Sequence, residues 1–336
     1  MTMRRAIGGP LLLASAVVLS ACVPKEKEAG VTVDVHVPTP EMLEAANQRM
    51  IAQGKVPDSP GTGPYRVIRH VPDNLPDEVV YRPTDLAALG DTRIPIYLFG
   101  NGACSTDATK SRHHLIEIAS HGYLVITPGG LFGGPGVEMT SASIMSHDFK
   151  ADPALLGKAI DWAIAENGRQ GSPFYAKIDT RNVVMSGYSC GGTQALKYAG
   201  DPRISSFVIM NSGIFPENYI PMAGMSLSKG LLDKVDVPIL YVTGGPEDVA
   251  YTVARDDFRR IGNAPVAWID TDATHAGTYA EPNGGRAAEA VVHWLEWQTR
   301  GKADAAGWFV GPDCRLCSDP HWTVQWRNQS LLKPIG

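Results

Sequence analysis

The stretch Asn182-Val183-Val184-Met185-Ser186-Gly187-Tyr188-Ser189-Cys190-Gly191-Gly192-Thr193-Gln194-Ala195-Leu196-Lys197-Tyr198 sets one serine between two different periodicities. The apolar run at 183–185 predicts a short buried strand, and 191–199 predicts a helix. The join, Gly187-Tyr188-Ser189-Cys190-Gly191, leaves no room for a loop. So sharp a strand-to-helix turn strains the serine backbone and lifts its hydroxyl off the sheet edge, while the flanking glycines avoid clashes that side chains would create. Ser189 is therefore the candidate nucleophile.

Outward from this turn, strands and helices alternate. Strands are predicted at 65–71, 78–81, 94–99, 123–127, 206–210, 237–242 and 266–269, besides 183–185. Helices are predicted at 39–53, with Thr39 as N-cap and Pro40 in the first turn, and at 110–120, 152–165, 250–261 and 286–300. This alternation predicts an α/β class, with a mostly parallel central sheet covered by helices on both faces. Pro and Gly crowd 56–64, which reads as a linker. The tail after Gly301 lacks periodicity and is expected to wrap the surface. His113 and His114 fall on the 110–120 helix without carboxylates at metal-ligand spacing and read as surface residues. Trp294 and Trp297 read as core packing, and the glycine-rich 128–136 lacks the Lys-Ser/Thr ending of a phosphate loop.

A serine needs a base, and the base needs an orienting carboxylate. The join resembles that of the α/β-hydrolases, and the resemblance implies the chain order serine, acid, histidine, with both partners downstream. Downstream histidines are His275, His293 and His321. His275 sits in the small-residue loop Thr271-Asp272-Ala273-Thr274 after a predicted strand, whereas His293 lies within a helix and His321 in the tail. For the acid, Asp248 follows the strand at 237–242 in a Gly-x-x-Asp spacing, with Glu247 as the competing carboxylate; Asp270 and Asp272 are too near His275 along the chain. Two backbone N–H groups must receive the oxyanion. One is that of Cys190; the other comes from Phe99-Gly100-Asn101-Gly102, with Asn101 the first choice and Gly102 the second.

With these residues, the chain from about Tyr65 to Arg300 resembles the α/β-hydrolase superfamily, and within it the dienelactone-hydrolase-like, cutinase-like and polyester-hydrolase-like esterases. The segment Ile116-Glu117-Ile118-Ala119-Ser120-His121-Gly122-Tyr123-Leu124-Val125-Ile126 looks like the helix–glycine–aromatic-strand stretch of those enzymes. The resemblance implies a Ser189–His275–Asp248 triad, Asn101 and Cys190 as oxyanion donors, and little or no cap domain. Phe99 stands where a histidine is often found, and Cys190 follows the serine in place of the Met or Gln of many relatives.

The ends of the chain speak to compartment. Arg4 and Arg5 precede an apolar run at 11–19, too short for a membrane span but suited to a signal peptide at 1–21. Leu19-Ser20-Ala21-Cys22 resembles a bacterial lipobox, with Cys22 the acylated first mature residue. The expected organisation is a tether, short helix and linker over 22–63, a catalytic domain over 64–302 and a tail over 303–336. The protein is expected to be lipid-anchored to the cell envelope, on its periplasmic or outer-surface side. A net charge of −5 without Lys/Arg clusters argues against a nucleic-acid partner. Acylation of Cys22 leaves Cys104, Cys190, Cys314 and Cys317, an even set that suits disulfides in an oxidising compartment. In an α/β-hydrolase the loops carrying Asn101 and Ser189 approach one another, which allows Cys104–Cys190, with Cys314–Cys317 as the second bridge; the alternative is a buried Cys190 thiol.

The expected activity is hydrolysis of short-chain, aryl or polymeric esters through an acyl-enzyme, with no metal or organic cofactor. Ile214, Phe215, Tyr219, Ile220, Met222, Met225 and Leu227, in the short connection after the strand at 206–210, are expected to line an apolar pocket. The alternatives are a silent lipid-anchored binding protein, which would be expected to have lost the serine or histidine, and a serine peptidase, which usually carries an added domain.

Overall fold

The computed structural model describes residues 39–215 and 227–333. The signal stretch, Cys22, the tether at 23–30, and Tyr219, Ile220, Met222 and Met225 lie outside the described residues.

Nine strands form one sheet: β1 (Val67–His70), β2 (Glu78–Pro83), β3 (Ile94–Gly100), β4 (Leu124–Pro128), β5 (Ile178–Tyr188), β6 (Ser206–Met210), β7 (Ile239–Thr243), β8 (Val266–Asp270) and β9 (Thr323–Arg327). Their order is β1-β2-β4-β3-β5-β6-β7-β8-β9. Strands β3 to β8 pair in parallel, while β1, β2 and β9 join antiparallel at the two sides. The helices are α1 (Pro40–Gly54), α2 (Arg112–Ser120), α3 (Ser141–Ser146), α4 (Ala154–Gly168), α5 (Cys190–Leu196), α6 (Tyr251–Arg260), α7 (Gly285–Arg300), and the short α8 (Ala303–Ala306) and α9 (Arg315–Ser318). This mostly parallel sheet flanked by helices is compatible with the α/β-hydrolase fold.

Alternation along each strand builds two cores. Ile94, Ile96, Leu98, Phe207 and Ile209 face Leu156, Ile160 and Leu196 of α4 and α5. Tyr97, Phe99, Val208 and Met210 face Leu115 of α2 and Val291 and Trp294 of α7. Burying one such side chain contributes roughly 1.5–3 kcal/mol relative to exposure, so a one-residue slip that exchanged the faces would be costly.

Several expectations are corrected. His113 and His114 are buried, not on the surface. For His113 the reason lies in 56–64, which is not a free linker but is laid over the outer face of α2. Ser59 Oγ meets His113 Nδ1 at 3.0 Å, Thr62 N donates to Glu117 Oε2 at 2.8 Å, and Gly63 N donates to Ser120 Oγ at 3.0 Å. His114 Nε2 meets the Tyr97 hydroxyl at 3.0 Å, and burial pushes its pKa down to about 3, so it is a neutral core residue. The tail does more than wrap the surface: β9 extends the sheet along β8, and Trp308, Phe309, Leu316 and Trp322 enter the core. Strand β5 starts five residues earlier than the 183–185 run, and its pairing with β3 shifts register between Pro95 and Ile96. No helix among the described residues is long and apolar enough to cross a membrane.

Candidate active site

Ser189 joins β5 to α5 with φ 51° and ψ −124°, a conformation that non-glycine residues avoid. Backbone crowding imposes the flanking glycines. A Cβ on Gly187 would lie 2.3 Å from Gly191 O, and one on Gly191 would lie 2.0 Å from Gly100 O. The ends of β3 and β5 and the start of α5 are thus in main-chain contact.

The Ser189 hydroxyl meets His275 Nε2 at 3.0 Å, and His275 Nδ1 meets Asp248 Oδ1 at 2.6 Å. The sheet brings the three together, with Ser189 after β5, Asp248 after β7 and His275 after β8. The histidine loop rests directly on the β7 turn: Thr274 N donates to Gly244 O at 2.8 Å, and a Cβ on Gly244 would lie 1.8 Å from Thr274 O. Asp248 is buried yet well supplied with donors. Besides His275, Ala250 N donates to its Oδ1 at 2.9 Å, and Asn211 Nδ2 and Gly244 N donate to its Oδ2 at 2.8 and 3.1 Å. Burial raises its pKa, but the hydrogen bonds and charge of His275, with the bonds from Ala250 and Asn211, outweigh burial and hold it below the ordinary carboxylate value. Glu247, the competing carboxylate, is exposed. His293 stacks on Trp308 at 3.8 Å, and His321 is exposed in the tail.

Asn101 earns its place through its side chain. Its Nδ2 donates to Ser105 O and Pro128 O at 2.9 and 2.8 Å, and its Oδ1 accepts from Thr127 Oγ1 at 2.8 Å. The side chain pins the loop after β3. The main-chain N–H groups of Asn101 and Cys190 donate to no acceptor among the described residues. Gly102, the second choice, abuts the Tyr188 ring, 2.4 Å from where its Cβ would sit.

Cys104 is bonded to Cys190, with 5.1 Å between Cα atoms, and Cys314 is bonded to Cys317. The first bridge is buried with Phe215, Ala250 and Val253. Of the expected pocket residues that are described, Ile214 and Phe215 are buried, and Leu227 is partly buried against the core.

Four residues with no role in the sequence reading support this site. Asn211, at φ 45° just past β6, donates to Asp248 and, at 3.1 Å, to Thr274 O, while its Oδ1 accepts from the Tyr279 hydroxyl at 2.5 Å. Ser212 Oγ donates to Ser189 O at 2.5 Å, and the Tyr188 hydroxyl donates to His275 O at 2.7 Å. The available signal was Asn211-Ser212-Gly213 directly after a buried strand neighbouring β5, a polar group at the carboxyl edge of a parallel sheet. Among the described residues, no three His, Cys, Asp or Glu are grouped to hold a metal ion.

No family profile matches the chain. Two curated relatives are similar to part of it. Hydrolase ffsE of Aspergillus flavipes is 31% identical over 147 residues, 43% of this chain and 31% of the relative. Hydrolase ORFZ of Pyricularia oryzae is 31% identical over 140 residues, 41% of this chain and 30% of the relative. The match spans under a third of each relative, and both relatives are named as hydrolases.

Proposed function

We propose that this protein is a serine ester hydrolase of the α/β-hydrolase type. The observation that carries the reading is the continuous hydrogen-bonded line Ser189–His275–Asp248, beginning on a serine at φ 51°. The two relatives named as hydrolases support the same class of chemistry. His275 Nε2 takes the proton as Ser189 Oγ attacks the ester carbonyl, and Asp248 holds the imidazole with its Nδ1 proton facing the carboxylate. The amides of Asn101 and Cys190 receive the charge that develops on the carbonyl oxygen. His275 then protonates the departing alcohol and activates the water that releases the acid. Short-chain, aryl and polymeric esters are the substrate class. The test is labelling by a fluorophosphonate probe together with hydrolysis of p-nitrophenyl esters; a folded protein that does neither refutes the reading.

The Cys104–Cys190 bridge ties the two oxyanion loops together. Its sequence separation of 86 residues gives a loop-closure contribution of about 4–5 kcal/mol. Cys104→Ser is expected to lower the melting temperature by about 10 °C and, measured where it is still folded, to lower kcat by about 10- to 100-fold through misplaced donors. An unchanged kcat in the folded variant separates the bridge from catalysis.

The lipobox reading makes Cys22 the anchor. Cys22→Ser is expected to move the protein from the membrane to the soluble fraction, and mass spectrometry of the wild type should find an acylated N-terminal Cys22. A wild-type N-terminus elsewhere, without lipid, rejects the anchor.

A further inference from the structure

The segment between β4 and α4 carries apolar side chains that do not enter the core. Phe132, Met145 and Phe149 are 45%, 59% and 59% exposed. Phe149 also has φ 57°, at the chain reversal after α3, where glycine or asparagine is usual because a Cβ crowds the backbone. One residue thus combines backbone strain with exposed aromatic surface, and the bonds that hold the loop make no use of its side chain. The loop is held by main-chain bonds: Phe149 N donates to Ala103 O at 2.7 Å, Ala151 N to Cys104 O at 2.9 Å, and Thr106 N to His147 O at 2.8 Å. The first bond sets Phe149 beside Ala103, whose neighbour Cys104 is bridged to Cys190, the residue after Ser189. Non-glycine residues held in this region by their surroundings cluster at active sites and ligand clamps.

The strand order fixes which arm of a substrate reaches it. Asp248 and His275 lie on the β7–β8 side of Ser189, and Phe149 hangs on the β3–β4 side. The leaving group must lie by His275 to be protonated, so the acyl arm runs the other way. Resting on the serine-hydrolase reading, we propose that Phe149 is the wall of an acyl subsite that accepts an aromatic or medium-chain acyl group. On the same segment Phe132 stacks on His147 with ring centroids 4.1 Å apart.

The test holds the leaving group constant and varies the acyl arm: p-nitrophenyl acetate, hexanoate and benzoate, with wild type, Phe149→Tyr and Phe149→Gly. Phe149→Gly is expected to lose about tenfold in kcat/KM for hexanoate and benzoate. Its acetate turnover and fluorophosphonate labelling should stay within about twofold of wild type, since neither fills the subsite. Glycine adopts φ 57° without strain, so the melting temperature of this variant should equal or exceed that of wild type while selectivity falls. Phe149→Tyr should keep the wild-type preference. A lower melting temperature with unchanged acyl preference assigns Phe149 to structure and overturns the proposal, as does a change that follows the leaving group when alkyl alcohols replace p-nitrophenol. If the wild type is neither labelled nor active, the serine-hydrolase reading falls and takes the subsite with it; normal labelling with unaltered selectivity removes the subsite alone.

Discussion

Ser189→Ala is expected to lose at least about 10³-fold in ester turnover and all fluorophosphonate labelling while melting close to wild type. The hydroxyl meets His275 Nε2, so its removal deletes the attacking atom and little packing. The backbone strain at φ 51° is the same for alanine. His275→Ala should fall to a similar level, because without a base the serine keeps its proton. The two losses should not add, since both residues serve one step. His293→Ala and His321→Ala are the controls, and their turnover should stay near wild type. Turnover close to wild type in pure Ser189→Ala would sink the assignment.

Asp248→Asn should be comparably severe, with kcat down by about 10⁴-fold, because an amide facing Nδ1 favours the wrong imidazole tautomer. The surroundings add to the cost. Four groups donate to the Asp248 oxygens, and an asparagine NH₂ would face at least one of them. Glu247→Gln alters an exposed side chain and should leave kcat within about twofold. Measuring kcat for both variants on one p-nitrophenyl ester decides between them; the reverse order would make Glu247 the acid.

The alternating elements were legible because strands such as Ile94-Pro95-Ile96-Tyr97-Leu98-Phe99 and Val266-Ala267-Trp268-Ile269 are apolar on both faces, as parallel strands must be when helices cover each side. Ser189, His275 and Asp248 could be nominated because their residue types and spacings already express the chemistry. Asn211 was missed, since its part is played through hydrogen bonds to Asp248 and the His275 loop and only its place past a buried strand hinted at it. The burial of His113 was hidden because the strip that covers it, 56–64, is rich in Gly and Pro and has no periodicity of its own, and that of His114 because its neighbours Tyr97, Phe99 and Tyr279 are remote in sequence. A Cβ on Gly61 would lie 2.4 Å from Ser120 Oγ, so the glycines read as flexible spacers are what let that strip lie flat on α2. Strand β9 was missed for a different reason. Thr323-Val324-Gln325-Trp326-Arg327 does alternate, but over too few residues to stand out from the tail around it.

That strand has a consequence for the order in which the molecule is made. Of the nine strands, β9 is the last to be synthesised, and it pairs along the whole of β8. Its Trp326 indole donates to Phe309 O at 3.0 Å and lies beside Trp294 and Trp297 of α7. Until this segment docks, β8 presents an unpaired backbone edge, open to pairing with another chain. The parallel part of the sheet is therefore covered on this side only when the C-terminal segment docks, and a chain in which β9 has not yet docked is the form most exposed to edge-to-edge aggregation.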